Sequence, residues 1–110
     1  MTSNPVIPEP VASFIQKVND HDQTGFLDAF TDDGVVDDWG RTFTGRQEIA
    51  GWSEVEFIGS KGVLTVEKVS VAGSQVTVEG DWRSNHANGQ SRFVFEVADD
   101  KLSRMTIRQG

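Results

Sequence analysis

Apolar residues recur at helical spacing in the first half of this chain and at alternating spacing in the second. Val11, Phe14, Ile15 and Val18 follow the i, i+3, i+4, i+7 pattern of an amphipathic helix. The pattern stops at Asn19-Asp20-His21-Asp22, a run of loop and cap residues. Phe26, Leu27 and Phe30 then form the apolar face of a second, shorter helix. Asp32-Asp33-Gly34 reads as a turn. Val35-Val36-Asp37-Asp38-Trp39 is too short for a helix and begins β-branched, which predicts a strand. Alternation puts Asp38 on the Val36 face and Asp37 with Val35 and Trp39. Gly40 and Gly45 bracket a short reversal, Arg41-Thr42-Phe43-Thr44. Thr44 followed by Gln47 fits a capping box, so a third helix is expected from near Gly45. Ile49, Trp52 and either Val55 or Glu56 continue it.

From Gly62 onward the period is two. Strands are expected over Val63–Ala72, Gln75–Ser84, Ser91–Ala98 and Leu102–Arg108. The turn signals between them are Ala72-Gly73-Ser74, Asn85-His86-Ala87-Asn88-Gly89 and Asp99-Asp100-Lys101. Short links make these strands an antiparallel meander. Phe93, Phe95 and Val97 point one way and Arg92, Val94 and Glu96 the other, as in a sheet with helices on one face. Three helices followed by a meander is an α+β order.

At 110 residues the chain fits one domain, expected at residues 9–110 after a loose arm at 1–8. The formal charge of -7 disfavours nucleic acid and anionic membranes as partners. No apolar run approaches the ~20 residues that span a bilayer. The first residues, MTSNPVIPEP, lack a basic region and an apolar core, so they do not read as a signal peptide and a cytoplasmic location is expected. With no Cys, thiol catalysis and disulfides are excluded; two distant His among scattered carboxylates make no metal motif. No cofactor is expected.

The order of elements, with Asn19-Asp20-His21-Asp22, Phe30-Thr31-Asp32-Asp33 and Thr44-Gly45-Arg46-Gln47-Glu48-Ile49, resembles the nuclear transport factor 2-like superfamily. Within it the chain looks most like SnoaL-like small proteins and ketosteroid isomerase, over about residues 9–108. The resemblance implies a cone: three N-terminal helices packed on a curved antiparallel sheet, with a central pocket. It also implies a homodimer through the outer face of the sheet, and a carboxylate base on the first strand, which falls on Asp38. The isomerase mechanism also needs an oxyanion hole of a Tyr and a neutral Asp. Those positions fall on Phe14 and near Ser91, and losing one such donor costs ~100–1000-fold in rate. Negligible ketosteroid isomerase activity is therefore expected.

The resemblance thus implies an apolar small-molecule pocket, in an isomerase, cyclase or hydrolase that uses Asp38 on a polyketide- or terpenoid-like substrate. Arg41 or His86 would be the nearest polar helpers. Phe14, Trp39, Trp52, Trp82, His86 and Phe93 are the candidate substrate-binding residues. Core packing is the competing role for Trp52, and a solvated loop position is the competing one for His86 and His21. Asp81 and Arg83 are expected to face outward as an ion pair or a dimer contact, and Arg104 and Arg108 to lie on the outer sheet surface. Two other readings stay open. One is a non-catalytic binding or dimerisation module, the other a degenerate isomerase that binds steroids without turnover.

Overall fold

The computed structural model describes residues 6–110, so most of the expected arm at 1–8 lies outside the described residues. Helix α1 (Val11–Asn19) buries Val11, Phe14, Ile15 and Val18, the four residues of its apolar stripe. Helix α2 (Gln23–Asp28) starts at Asp22, whose carboxylate accepts the Gly25 N–H at 3.0 Å. This satisfies a donor that the first helical turn leaves free. Phe26 is its buried residue.

Strand β1 (Phe30–Asp38) takes in the segment expected as helix end and turn. Phe30 belongs to the strand, and the register slips between Phe30 and Val35, where Asp32-Asp33-Gly34 sit. The supposed reversal is itself an edge strand, β2 (Arg41–Thr44), paired antiparallel with β1. Helix α3 (Gly45–Glu56) begins where the capping signal placed it, but with a different partner. Glu48, not Gln47, reaches back to the Thr44 N–H at 2.9 Å, and the Thr44 side chain makes no cap bond. Ile49, Trp52 and Ser53 are its buried residues, and Val55 is 70% exposed. A 3-10 turn (Ile58–Ser60) leads to β3 (Val63–Ala72), β4 (Gln75–Arg83), β5 (Gly89–Ala98) and β6 (Lys101–Gln109).

The six strands form one curved, unclosed sheet in the order β2-β1-β6-β5-β4-β3. The meander β3 to β6 is antiparallel throughout. One pairing departs from the all-antiparallel expectation: β1 runs parallel to β6, with Val36 opposite Met105 and Asp38 opposite Ile107. Register shifts between Val66 and Lys68 and between Glu96 and Val97 bend the sheet. The helices fill its concave side. Phe14 meets Phe26, Phe30 and Phe95 with ring centroids 5.3 to 5.5 Å apart, which forms the closed end of the core.

The α1–α2 junction is tied to the sheet by polar side chains. Asn19 copies a strand partner: its amide donates to the Leu64 carbonyl at 3.0 Å and accepts the Leu64 N–H at 2.8 Å. His21 is not a free loop histidine. It is half-buried, and its Nε2 donates to the Gly62 carbonyl at 3.0 Å.

Candidate functional site

The open end of the cone is built around the β1–β2 hairpin. Its two-residue loop is Trp39-Gly40, with φ of 55° and 92°. Both values are positive, as a type I′ turn requires. Asp38 and Arg41 flank the loop as register partners. The Arg41 guanidinium donates to Asp38 Oδ2 at 2.6 Å. The same guanidinium forks onto Glu56 at the end of α3, at 2.7 and 3.1 Å. His86 Nε2 approaches Glu56 Oε1 at 3.2 Å, an ion pair whenever the imidazole is protonated. Trp52, one helical turn before Glu56, donates its indole N–H to Asp38 Oδ2 at 3.0 Å. Both donors converge on one oxygen of Asp38; Oδ1 has no partner among the described residues.

The charges answer one another. The hydrogen bond from Arg41, aided by its charge and that of His86, draws Glu56 below the usual glutamate range against a smaller opposing effect of burial. The hydrogen bond to Glu56, reinforced by Asp38, in turn holds Arg41 charged well above its ordinary range.

Aromatic rings form the other wall. Trp52 stacks on Phe57 at 4.9 Å, and Phe57 on Trp82 at 4.7 Å with 8° between the planes. Phe43 extends the stack behind Trp52 at 5.8 Å. Such contacts are worth ~0.5–1.5 kcal/mol each beyond their area burial, so this wall is stiff. Between the two walls lies a half-open cavity of about 450 Å³. Asn88, Gln90, Ser91 and Gln109 supply neutral polar groups at its rim.

Of the residues singled out from sequence, Asp38, Trp39, Trp52, Trp82, His86 and Phe93 all line this cavity, as do Arg41 and Ser91. Phe14 does not: it is 2% exposed and packed within the phenylalanine cluster of the closed end. Trp52 and Trp82 serve both roles, being nearly buried while each presents an edge to the cavity. Asp81 and Arg83 face out and pair with each other at 2.8 Å. Arg104 and Arg108 lie on the outer face, but their partner is Asp37 of the same chain, at 3.2 and 3.0 Å. Sequence reasoning named Glu56 only as a continuation of the third helix and passed over Phe57; neither was singled out for the site. The available signal was the one-turn spacing from Trp52 to Glu56, which puts a carboxylate on the buried face of α3.

No group of three or more His, Cys, Asp or Glu side chains among the described residues could hold a metal ion. No helix among them is long and apolar enough to cross a membrane.

The curved sheet wrapped on three helices, open at the end that carries the polar residues, is the cone of the nuclear transport factor 2-like superfamily. The SnoaL-like domain model matches residues 11–105, and the chain belongs to that family. No curated protein matches the sequence. Among solved structures, a proposed polyketide cyclase from Sinorhizobium meliloti superposes with a TM-score of 0.81 at 19% identity, covering 93% of this chain and 95% of that one. SalBIII, an epoxide hydrolase/cyclase-like enzyme of pyran ring formation in the polyether salinomycin, gives 0.81 at 18%, over 91% and 87%. A Mycobacterium tuberculosis protein in complex with estradiol-17β-hemisuccinate gives 0.80 at 15%, over 91% and 90%. At these identities the likeness is one of fold.

Proposed function

We propose that this chain is a cofactor-independent enzyme that closes or opens a C–O bond in a small apolar, polyketide- or terpenoid-like substrate, with Asp38 as general base. The observation that carries the reading is the state of Asp38. Trp52 and Arg41 fix one carboxylate oxygen, and the other has no partner among the described residues, at the wall of a cavity with aromatic sides. An oriented carboxylate with a free oxygen can take a proton from water or from a substrate hydroxyl. The oxygen so activated attacks carbon, the C–O bond to the leaving oxygen breaks, and that oxygen needs a proton. His86, held by Glu56 across the same cavity, is the group that supplies it. Two carboxylates against one guanidinium and a protonated His86 leave the site without net charge, which favours a neutral substrate.

Isomerisation through an enolate has less support. The cavity offers Ser91 as a lining hydroxyl, while Phe14 stands in the core. A second reading rests on the Asp38–Arg41–Glu56 chain itself. It ties β1, β2 and α3 together, so it serves a module that binds an apolar ligand without turnover equally well. The SalBIII and Mycobacterium tuberculosis structures lend the two readings precedent within one fold.

The test is turnover of a panel of neutral epoxides and hydroxy-ketones, followed by mass spectrometry, with wild type and Asp38→Asn. Conversion by wild type and its loss in Asp38→Asn supports the enzyme. Saturable quenching of Trp fluorescence with no conversion of any compound supports the binding module. We further propose that the outer sheet face, where Thr77, Val94 and Thr106 are neighbours in register, mediates a homodimer.

A further inference from the structure

Trp39 is out of place by the rules of turn chemistry. A type I′ loop favours Asn-Gly or Asp-Gly, because both residues take positive φ and a bulky side chain is disfavoured there. Here a tryptophan occupies the first position at φ 55°, and it is 60% exposed. It gains no core burial in return. What it gains is a position at the mouth of the cavity, beside Asp38.

The loop is held from the opposite side of the sheet. Asp37 is only 8% exposed although it points away from the cavity. Its Oδ1 accepts the Gly40 N–H at 2.8 Å, within the Trp39-Gly40 loop. The same oxygen accepts Arg108 at 3.0 Å. Oδ2 takes Arg104 and Arg108, each at 3.2 Å. Arg104 and Arg108 lie on β6, the parallel neighbour of β1, and the Trp39 N–H donates to the Ile107 carbonyl of that strand at 3.3 Å. One side chain therefore bolts the loop to the strand behind it. Asp38 follows Asp37 on the opposite face of β1. The strand ends there, and Trp39, expected on the Asp37 face, instead sits in the turn and reaches the cavity, so the bolt on Asp37 fixes the backbone from which Asp38, Trp39 and Arg41 project.

We infer that Asp37 is a positioning residue for the cavity: through the Gly40 N–H it holds the strained Trp39-Gly40 loop, so that Trp39 caps a bound ligand. The functional importance of the cavity rests on the reading above; the loop restraint does not. Local strain of this kind persists where the surroundings over-determine it. Asp37 and its two arginines are those surroundings.

The experiment compares Asp37→Ala, Asp37→Asn, Arg104→Ala, Trp39→Ala and the Asp37→Ala/Trp39→Ala double variant with wild type. Two readouts are taken: backbone and indole order by ¹⁵N relaxation without ligand, and affinity for the neutral probe 1-phenylnaphthylamine. Asp37→Ala is expected to drop the Trp39 and Gly40 order parameters from about 0.85 to below about 0.6, and to weaken probe binding by about fivefold or more. Asp37→Asn keeps an acceptor for the Gly40 N–H and is expected to hold most of the loop order. Arg104→Ala removes an ion pair but not the loop bond, and is expected to leave the Trp39 and Gly40 order parameters near about 0.85 and probe affinity within about twofold. In a Trp39→Ala background, Asp37→Ala is expected to add no further loss of affinity, the non-additivity of residues acting through one another. Unchanged loop order in Asp37→Ala, or additive losses, overturns the inference. A loosened loop in a protein whose wild type binds no probe upholds the restraint and defeats the capping role and the cavity reading.

Discussion

The indole N–H of Trp52 donates to Asp38 Oδ2 across 3.0 Å, joining the buried face of α3 to the last residue of β1. A core tryptophan thereby orients the carboxylate that lines the cavity, and packing and chemistry share one hydrogen bond. Trp52→Phe keeps most of the ring stack on Phe57 but removes the donor. It is expected to lower stability by about 2–3 kcal/mol, from a lost bond to a charged group and a smaller ring. Urea unfolding measures this, and an unchanged midpoint would show that the bond carries nothing.

Gly62 lies against the aromatic wall. A Cβ there would come within 2.1 Å of the Trp82 ring, and Trp82 is backed by Phe57. Gly62→Ala therefore has to push Trp82 toward the cavity or away from its stack. Overpacking of this kind costs about 1–3 kcal/mol. Near-ultraviolet circular dichroism is expected to lose intensity from the Trp82–Phe57 pair, and a native spectrum at full stability would contradict the packing described.

Acid is expected to destabilise the fold through two named carboxylates. Arg108 first, and then the Gly40 N–H and Arg104, draw Asp37 below its ordinary 3.8. Arg41 draws Glu56 below its ordinary 4.5. Each group in the unfolded chain therefore takes up a proton at a pH where the folded one does not. The stability they contribute is complete above the unfolded values and is lost as pH falls through the folded ones. Urea midpoints measured from about pH 7 down to about pH 3 are expected to fall below about pH 4.5, and to fall less steeply in Asp37→Asn and Glu56→Gln. Identical slopes in all three proteins would remove both groups from the acid response.

The outer-face dimer is tested by sedimentation at tens of micromolar. A species of twice 12.1 kDa is expected. Thr106→Arg, placing charge beside Val94 at the centre of that face, is expected to return it to a monomer. A wild-type monomer at that concentration would contradict the dimer.

Much of this architecture is written in local periodicity. The stripe Val11, Phe14, Ile15, Val18 and the alternation of Phe93 and Phe95 are set by which face is buried, and both were legible. Phe30-Thr31-Asp32-Asp33-Gly34 misled because Asp-Asp-Gly is turn chemistry; only the pairing of Phe30 with Leu102 of β6, across a register slip before Val35, draws the segment into a strand. The parallel contact of β1 with β6 joins segments far apart in the sequence, to which no short-range pattern points. Asp38, Trp39, Trp52, Trp82, His86 and Phe93 were legible as candidates because the resemblance fixed their elements. Phe14 was placed by the same resemblance, but the ring packs with three other phenylalanines rather than at the cavity. Glu56 escaped because its role depends on Arg41, fifteen residues away, and on where α3 ends against the hairpin. Asp37 escaped because its partners come from the last strand.

The most direct measurement is where a neutral apolar molecule settles on the folded chain. With 1-phenylnaphthylamine bound, nuclear Overhauser contacts are expected from the probe to the side chains of Trp39, Trp82 and Phe93, with the Trp52 indole N–H shifted and Val94 and Thr106 silent. Contacts confined to Val94 and Thr106 on the outer face, or a saturating signal that leaves all three tryptophans unmoved, would contradict a ligand site beside Asp38.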